Sequence, residues 1–334
     1  MIRKRIFYLL KNLWQKPVFR IAISLAIIAF LLIKLPLEEL WSTVTHVSVF
    51  LWLFVVAAFV MGHIVGVIKW NLLVNLKSKA LPFTVACRCY YAGLFANLCL
   101  PSLIGGDLIR AGIAIKHSNE KGALILGSLL DRFLDICALL FIIYIAAMIS
   151  PAVLAAEDRK LLVWLFVFLS VAFLFTISLL FFPFINFLPK KINELIIRTR
   201  NIIFHLIRNP QRAIAAFGMA LFLQSGFILL NILLGTTCGI HIPLSIWFLA
   251  WPLAKLSALI PISIGGLGVR EIALAVILER FSVPYTHSVG LGLLWETILI
   301  AGGIIGGFIY LFLSKNFRAR EDFIAARSLN TVES

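Results

Sequence analysis

Pro261-Ile262-Ser263-Ile264-Gly265-Gly266-Leu267-Gly268-Val269-Arg270-Glu271 interrupts very apolar surroundings, and an earlier stretch echoes it. That stretch is Pro101-Ser102-Leu103-Ile104-Gly105-Gly106-Asp107-Leu108-Ile109-Arg110. At an offset of 160 residues the proline, an isoleucine, both glycines and the arginine coincide without a gap. A proline with paired glycines breaks a helix and frees backbone N–H and C=O groups. Hydrocarbon cannot satisfy those groups, so such backbone is tolerated only inside protein or against a wet cavity. Two matching interruptions in two halves of a membrane protein point to a substrate site at an inverted-repeat interface.

Composition supports a membrane chain. Of 334 residues, 62% are hydrophobic and 13% charged, whereas soluble domains run near 45–50% and about 25%. Several stretches exceed the ~18 apolar residues of a transmembrane helix. The net charge of +15 does not indicate nucleic acid, because the basic residues lie in short loops between apolar spans. Cys87, Cys89, Cys99, Cys137 and Cys238 are odd in number and sit in or beside apolar segments. They read as small packing residues, with no metal-ligand spacing and no disulfide framework.

In chain order, residues 1–16 form a basic segment with Tyr8 and Trp14, either lying on an anionic leaflet or solvated. Full spans are expected at 17–35, 47–68, 122–149, 161–185, 213–235 and 288–313. Between them, 83–100 with 107–117, and 244–260 with 270–281, flank the two breaks. Each of these arms is too short to cross about 30 Å of hydrocarbon at 1.5 Å per residue. They read as hairpins that enter and leave on one side.

With the N-terminus cytoplasmic, 23 of the 30 basic residues fall in inside segments, and only Lys34, Arg159 and Lys160 lie outside. Lys69, Trp70, Lys77 and Lys79 are read in this scheme as a basic interface. The expected fold is therefore an all-α polytopic membrane protein with two inverted repeats, six full spans and two re-entrant hairpins. Residues 1–334 make a single membrane domain, with repeat one about 17–149, repeat two about 161–313, and 314–334 a cytoplasmic tail. Both termini are expected on the cytoplasmic side of the cell membrane.

Tyr91-Ala92-Gly93-Leu94-Phe95-Ala96-Asn97 leading to Pro101, the Asp131-Arg132-Phe133-Leu134-Asp135 run and the second break with its flanks resemble a known family. It is the lysylphosphatidylglycerol synthase transmembrane, or flippase-like, family, and the resemblance covers nearly the whole chain. The multiple peptide resistance factors are similar here but add a soluble aminoacyltransferase domain. The resemblance implies their lipid-translocating half without the synthase half. It leaves the lipid open, since other relatives are connected with polyprenyl-linked sugars or hopanoids.

Each break should start a short helix whose free N–H groups and positive dipole end point toward mid-membrane. Asp107 sits at an N-cap position, and Arg110 and Arg270 fall in first turns. Gly105, Gly106, Gly265 and Gly266 lie where the backbone turns or approaches a headgroup. With Asp107 and Glu271, these residues and the two arginines are the expected substrate-binding set, because guanidinium holds phosphate bidentately. The competing reading is internal pairing, of Arg110 with Asp107 and of Arg270 with Glu271 or Glu296. Asp131 and Asp135 share a helix face; with Arg132 they are proton-coupling candidates or a structural ion cluster. Lys255 either snorkels or reaches the cavity. Glu296 must pair across helices. His63 reads as a packing residue, and Trp247, Trp251 and Trp295 as interfacial anchors or site walls.

Three classes compete: a flippase-like carrier of a lipid with an anionic headgroup, a membrane-embedded transferase, and an accessory subunit of a separate lipid synthase or transferase. No catalytic residue or cofactor is assigned, because there is no nucleophile–base pair and no nucleotide motif. Symmetry favours the carrier, since a transferase site needs no mirrored copy. Oligomerisation is left open. In a cysteine-free background, Ser118→Cys should label from the inside and Ser282→Cys from the outside. Labelling of both from one side would refute the opposed hairpins.

Overall fold

A computed structural model describes residues 46–76, 80–99, 105–118, 120–149, 208–259 and 268–330, with a few isolated residues between them. The expected spans at 17–35 and 161–185, most of the 190–212 loop, and both Pro-to-Gly breaks up to Ile104 and Leu267 lie outside the described residues, as do Gly265 and Gly266. Among the described residues all regular structure is helical: α1 Val49–Val74, α2 Phe83–Cys99, α3 Gly105–Ile115, α4 Lys121–Ile149, α5 Pro210–Thr237, α6 Leu244–Ser257, α7 Val269–Glu279 and α8 Tyr285–Asn330.

Four of these are long and apolar enough to cross a membrane: α1, α4, α5 and residues Tyr285–Ser314 of α8. At 1.5 Å per residue the 29-residue α4 is about 43 Å long, beyond the ~30 Å hydrocarbon thickness. Their outer faces remain apolar: Phe50, Phe54, Met61, Phe222 and Phe308 are all exposed. A helix that is hydrophobic all round suits lipid on one side and protein on the other. The tail expected from residue 314 continues α8 as helix to Asn330.

The helix ends follow from local chemistry. Ser48 Oγ accepts the Leu51 N–H and caps α1. At the other end of α1 the Asn75 amide both accepts from the Leu81 N–H and donates to its carbonyl, at 2.8 Å each, closing the turn into α2. Arg212, in the first turn of α5, donates to the Leu76 carbonyl at 3.0 Å. Pro210 opens α5, where its missing N–H costs nothing. Gly239, at φ 78°, ends that helix while Ile240 N–H returns to the Gly235 carbonyl at 2.9 Å. Gly268, at φ 84°, precedes α7 in the same left-handed region.

Helix α3 folds back on α2. Arg110 lies against Gly93, and Gly106 lies between Gly93 and Asn97, so contacts on α2 recede as residue number rises on α3. Asn97 Oδ1 accepts the Gly106 N–H at 2.9 Å, satisfying one orphan donor of the helix start. In the second half α6 packs against α7, and α7 against α8. Lipid is as apolar as a leucine side chain, so helices associate here through close packing and hydrogen bonds. Helix α8 supplies a stripe of glycines for this: Gly303 accepts Leu98, Gly306 the Tyr91 carbonyl, and Gly307 Phe95, all on α2, while Gly302 accepts Phe59 of α1. The main buried cluster joins Phe59 of α1, Phe227 of α5, Trp247 and Trp251 of α6, Leu274 and Leu278 of α7, and Trp295 and Ile298 of α8. Trp251 and Trp295 meet edge to face at 5.4 Å.

Two glycines on α3 separate backbone contact from mere helix position. A Cβ on Gly106 would overlap the Gly93 carbonyl and the Asn97 amide, whereas one on Gly112 meets nothing within 4 Å. Gly106→Val should destabilise the protein in detergent by about 1–3 kcal/mol through overpacking. Gly112→Ala should stabilise it by up to about 1 kcal/mol. Thermal unfolding of both variants measures this, and equal melting would show that α3 is not seated on α2 as described.

Candidate functional site

Both arginines singled out from the sequence line one cavity of about 200 Å³. Its charged lining is Asp107 and Arg110 of α3, Asp131, Arg132 and Asp135 of α4, Lys255 of α6 and Arg270 of α7. Phe59, Phe227, Trp251 and Trp295 supply aromatic walls, and His63, Tyr90, Asn97 and Gln224 the neutral polar lining. At about 30 Å³ per water this is room for some six or seven waters, the scale of a lipid headgroup without its chains. The helix pairs α2–α3 and α6–α7 meet at it.

On one side the charges form an alternating string. Asp135 contacts Lys69 Nζ at 2.5 Å, Lys69 reaches Asp131 at 3.1 Å, and Asp131 accepts from Arg110 Nη2 at 3.0 Å. Arg110 lies 3.2 Å from Asp107, which also takes both Nε and Nη2 of Arg132. Three cations alternate with three carboxylates, and α1, α3 and α4 are tied together. Arg110 is sandwiched as well, 4.7 Å from the Trp70 ring and 4.9 Å from Tyr90, a geometry suited to guanidinium stacking. Trp70 in turn donates to Ser128 at 2.9 Å, and Tyr90 shares a 3.2 Å hydrogen bond with His63.

On the other side Arg270 Nη2 meets Glu271 at 2.7 Å and Glu296 of α8 at 2.6 Å. The second Glu271 oxygen accepts the Gly268 N–H at 2.7 Å, anchoring the start of α7. Gly292 of α8 leaves the space that the Glu271 side chain fills. Trp251 lies 5.6 Å from the Arg270 guanidinium. Lys255 Nζ donates to Gln224 Oε1 at 2.7 Å and sits 5.6 Å from the Phe227 ring.

Internal pairing of both arginines, one of the two sequence readings, is therefore present. Each also keeps a buried Nε with no hydrogen-bond partner. Glu296 pairs across helices, as read from the sequence, and Asp131 pairs with Arg110. Lys255 reaches the cavity and does not snorkel away. Trp247, Trp251 and Trp295 are buried and so are not interfacial anchors; the last two are walls of the cavity. His63 both packs and lines it.

Several expectations need correction. Lys69 and Trp70 do not mark an interface: they are 1% and 0% exposed, because α1 runs on to Val74 and carries them into the charge cluster. A lysine–tryptophan pair after an apolar run imitates an anchor, yet the Leu72-Leu73-Val74 that follows shows that the helix had not ended. Asp107 is the third residue of α3, inside its first turn and not at the cap, and Arg110 is the sixth, in the second turn. Asp131, Arg132 and Asp135 begin ten residues into α4, about 15 Å along it, and not in its first turns. Gln224, Tyr90 and Asn97 were missed; a polar amide inside an apolar segment is the only sequence signal for Gln224 and Asn97, and Tyr90 gives none. Among the described residues no His, Cys, Asp and Glu cluster has metal-holding geometry.

Lys69 is the test of the string. Lys69→Met takes from Asp135 its contact cation and leaves Asp131 with Arg110 alone in a buried site, which should lower stability by about 3–5 kcal/mol. Adding Asp135→Asn should recover a substantial part. Thermal melting of the purified single and double variants reads both; a Lys69→Met protein as stable as wild type would dismiss the string as a support.

Comparison with known proteins bears on the whole chain. No match was found among curated proteins or among solved structures. The sequence profile of the lysylphosphatidylglycerol synthase TM region, by contrast, matches residues 18–326, which takes in every helix that lines the cavity. The chain is a multi-pass membrane protein belonging to the lysylphosphatidylglycerol synthase TM region family.

Proposed function

We propose that the protein is a flippase-like carrier that moves a lipid with an anionic, phosphate-bearing headgroup between leaflets, and that it does no covalent chemistry on that lipid. The observation that carries this reading is the headgroup-sized charged cavity between the α2–α3 and α6–α7 helix pairs. Charged side chains inside a membrane domain are costly and mark substrate pathways. Discontinuous helix pairs in the two halves are the arrangement expected of alternating-access carriers. The sequence offset between the two breaks supports a pair of inverted repeats with re-entrant hairpins, and the basic loops support cytoplasmic termini in the cell membrane.

In this reading the arginines set the shape of the cavity. Arg110 braces α3 to α4, and Arg270 braces α7 to α8, each through Nη2 contacts to two carboxylates. Opening toward one leaflet exchanges some of these contacts, while the apolar chains of the lipid stay outside in the bilayer. A synthase or transferase supplying the lipid is a separate protein in this scheme.

The test is reconstitution. Vesicles containing the purified protein should move a fluorescent phosphatidylglycerol between leaflets, and mass spectrometry of the recovered lipid should show it unchanged. Arg110→Lys and Arg270→Lys should each slow transport about tenfold or more, because an ammonium replaces a planar fork. A chemically altered lipid whose appearance depends on Asp107 or Asp131 would overturn the carrier reading in favour of a transferase.

A further inference from the structure

Four Arg and Lys side chains line the cavity. Arg110 already contacts Asp107 and Asp131, Arg132 contacts Asp107, and Arg270 contacts Glu271 and Glu296. An anion arriving at any of these meets resident negative charge within a few ångströms. Lys255 differs. Among the described residues it contacts no carboxylate, and its ammonium is satisfied by one neutral oxygen, Gln224 Oε1, at 2.7 Å. Its other neighbour is the face of Phe227, which attracts a cation weakly and offers no acceptor.

We infer that Lys255 is the seat of the lipid phosphate, with Gln224 as the resting partner that keeps the ammonium in place when the cavity is empty. This deepens the carrier reading and rests on it for the identity of the anion. The charges argue for it. The string on the α1–α3–α4 side is balanced, three against three. The Arg270 cluster holds one cation and two carboxylates. Lys255 has no carboxylate in direct contact, Asp135 acting on it only at longer range, so a phosphate monoanion there gains a contact pair and breaks no existing ion pair. The amide suits the resting role because it accepts one ammonium proton, and the remaining donors are left for phosphate oxygens. The position suits it too. Trp251, one turn before Lys255 on α6, stacks near Arg270, and both lie on the cavity wall. An anion at Lys255 is thus held among aromatic walls with little water to screen it.

Gln224→Glu separates this reading from a purely structural role for the lysine. The substitution keeps shape and places a carboxylate at 2.7 Å from the ammonium, so Lys255 acquires an internal counterion. A structural lysine would tolerate or welcome that contact; a phosphate seat would be occupied by it. The probe is dihexanoyl phosphatidylglycerol, titrated into the full-length protein in detergent and followed by tryptophan emission, to which Trp251 and Trp295 contribute. Wild type should bind saturably. Gln224→Glu and Lys255→Gln should each weaken binding at least about tenfold, the scale of one charge-assisted hydrogen bond, while Gln224→Glu melts at or above the wild-type temperature. Lys255→Arg should retain most of the affinity.

Wild-type-like binding by Gln224→Glu, or no saturable binding by wild type, overturns the assignment. So does inorganic phosphate binding as tightly as the lipid, which would make the seat a site for the free anion. Lysine-dependent lipid binding without transport in vesicles would leave the seat standing and sink the carrier reading instead.

Discussion

A buried charge must find an opposite charge, and that constraint organises this membrane domain. The six side chains from Asp135 through Lys69, Asp131, Arg110 and Asp107 to Arg132 alternate in sign across three helices. Coulombic attraction strengthens as the local dielectric falls, and so does the penalty for any charge left alone. The string therefore fixes the rotation of α1, α3 and α4 together, because turning any one helix would bury an unpaired group. Apolar packing provides no equivalent, since leucines facing lipid and leucines facing protein are nearly equal in energy. Specificity in the first half of the protein comes from its few polar atoms, while closeness comes from its glycines.

The two halves solve the same problem with different parts. In each, an acidic residue occupies the third position of the helix after the break, Asp107 in α3 and Glu271 in α7, and contacts that half's arginine. In each, a second acid comes from the following long helix, Asp131 of α4 or Glu296 of α8. In each, an aromatic ring lies against the guanidinium. The helices nonetheless start at different points, Gly105 in one and Val269 in the other, so arginines at equal sequence offset lie in different turns. The two arginine sites are closer to each other in chemistry than in backbone register.

Much of this was readable in advance, for definable reasons. Long apolar runs give α4, α5 and the start of α8 to within a few residues, and the start but not the end of α1, because nothing else tolerates such composition. Matched breaks locate the short helices, because proline and glycine act locally. Arg110 and Arg270 could be chosen because an arginine within an apolar stretch has few innocent explanations. Pairing was harder. Glu296 could be assigned to another helix only because it lacks a basic neighbour one turn away, and two partners remained for Arg270; the structure uses both. Lys69 was misread because hydropathy windows end a helix at its first charge, whereas the helix ends four residues past Trp70, where Asn75 turns the chain. Gln224 left no trace, since a lone amide in an apolar span looks like any tolerated substitution until Lys255 is placed beside it.

The glycine stripe of α8 has a consequence for biogenesis. Gly303, Gly306 and Gly307 receive Leu98, Tyr91, Leu94 and Phe95 of α2, some two hundred residues earlier. The α2–α3 pair that carries Arg110 is thus clasped by a helix that leaves the ribosome some two hundred residues after it. Until α8 emerges, these α2 side chains lack the glycine surface that they meet in the finished fold. Membrane insertion of the early spans and tertiary closure of the domain are consequently separate events in time. The interval between them exposes a smooth, aromatic-rich helix face in the bilayer, the kind of surface that insertion chaperones or a neighbouring nascent chain would meet first.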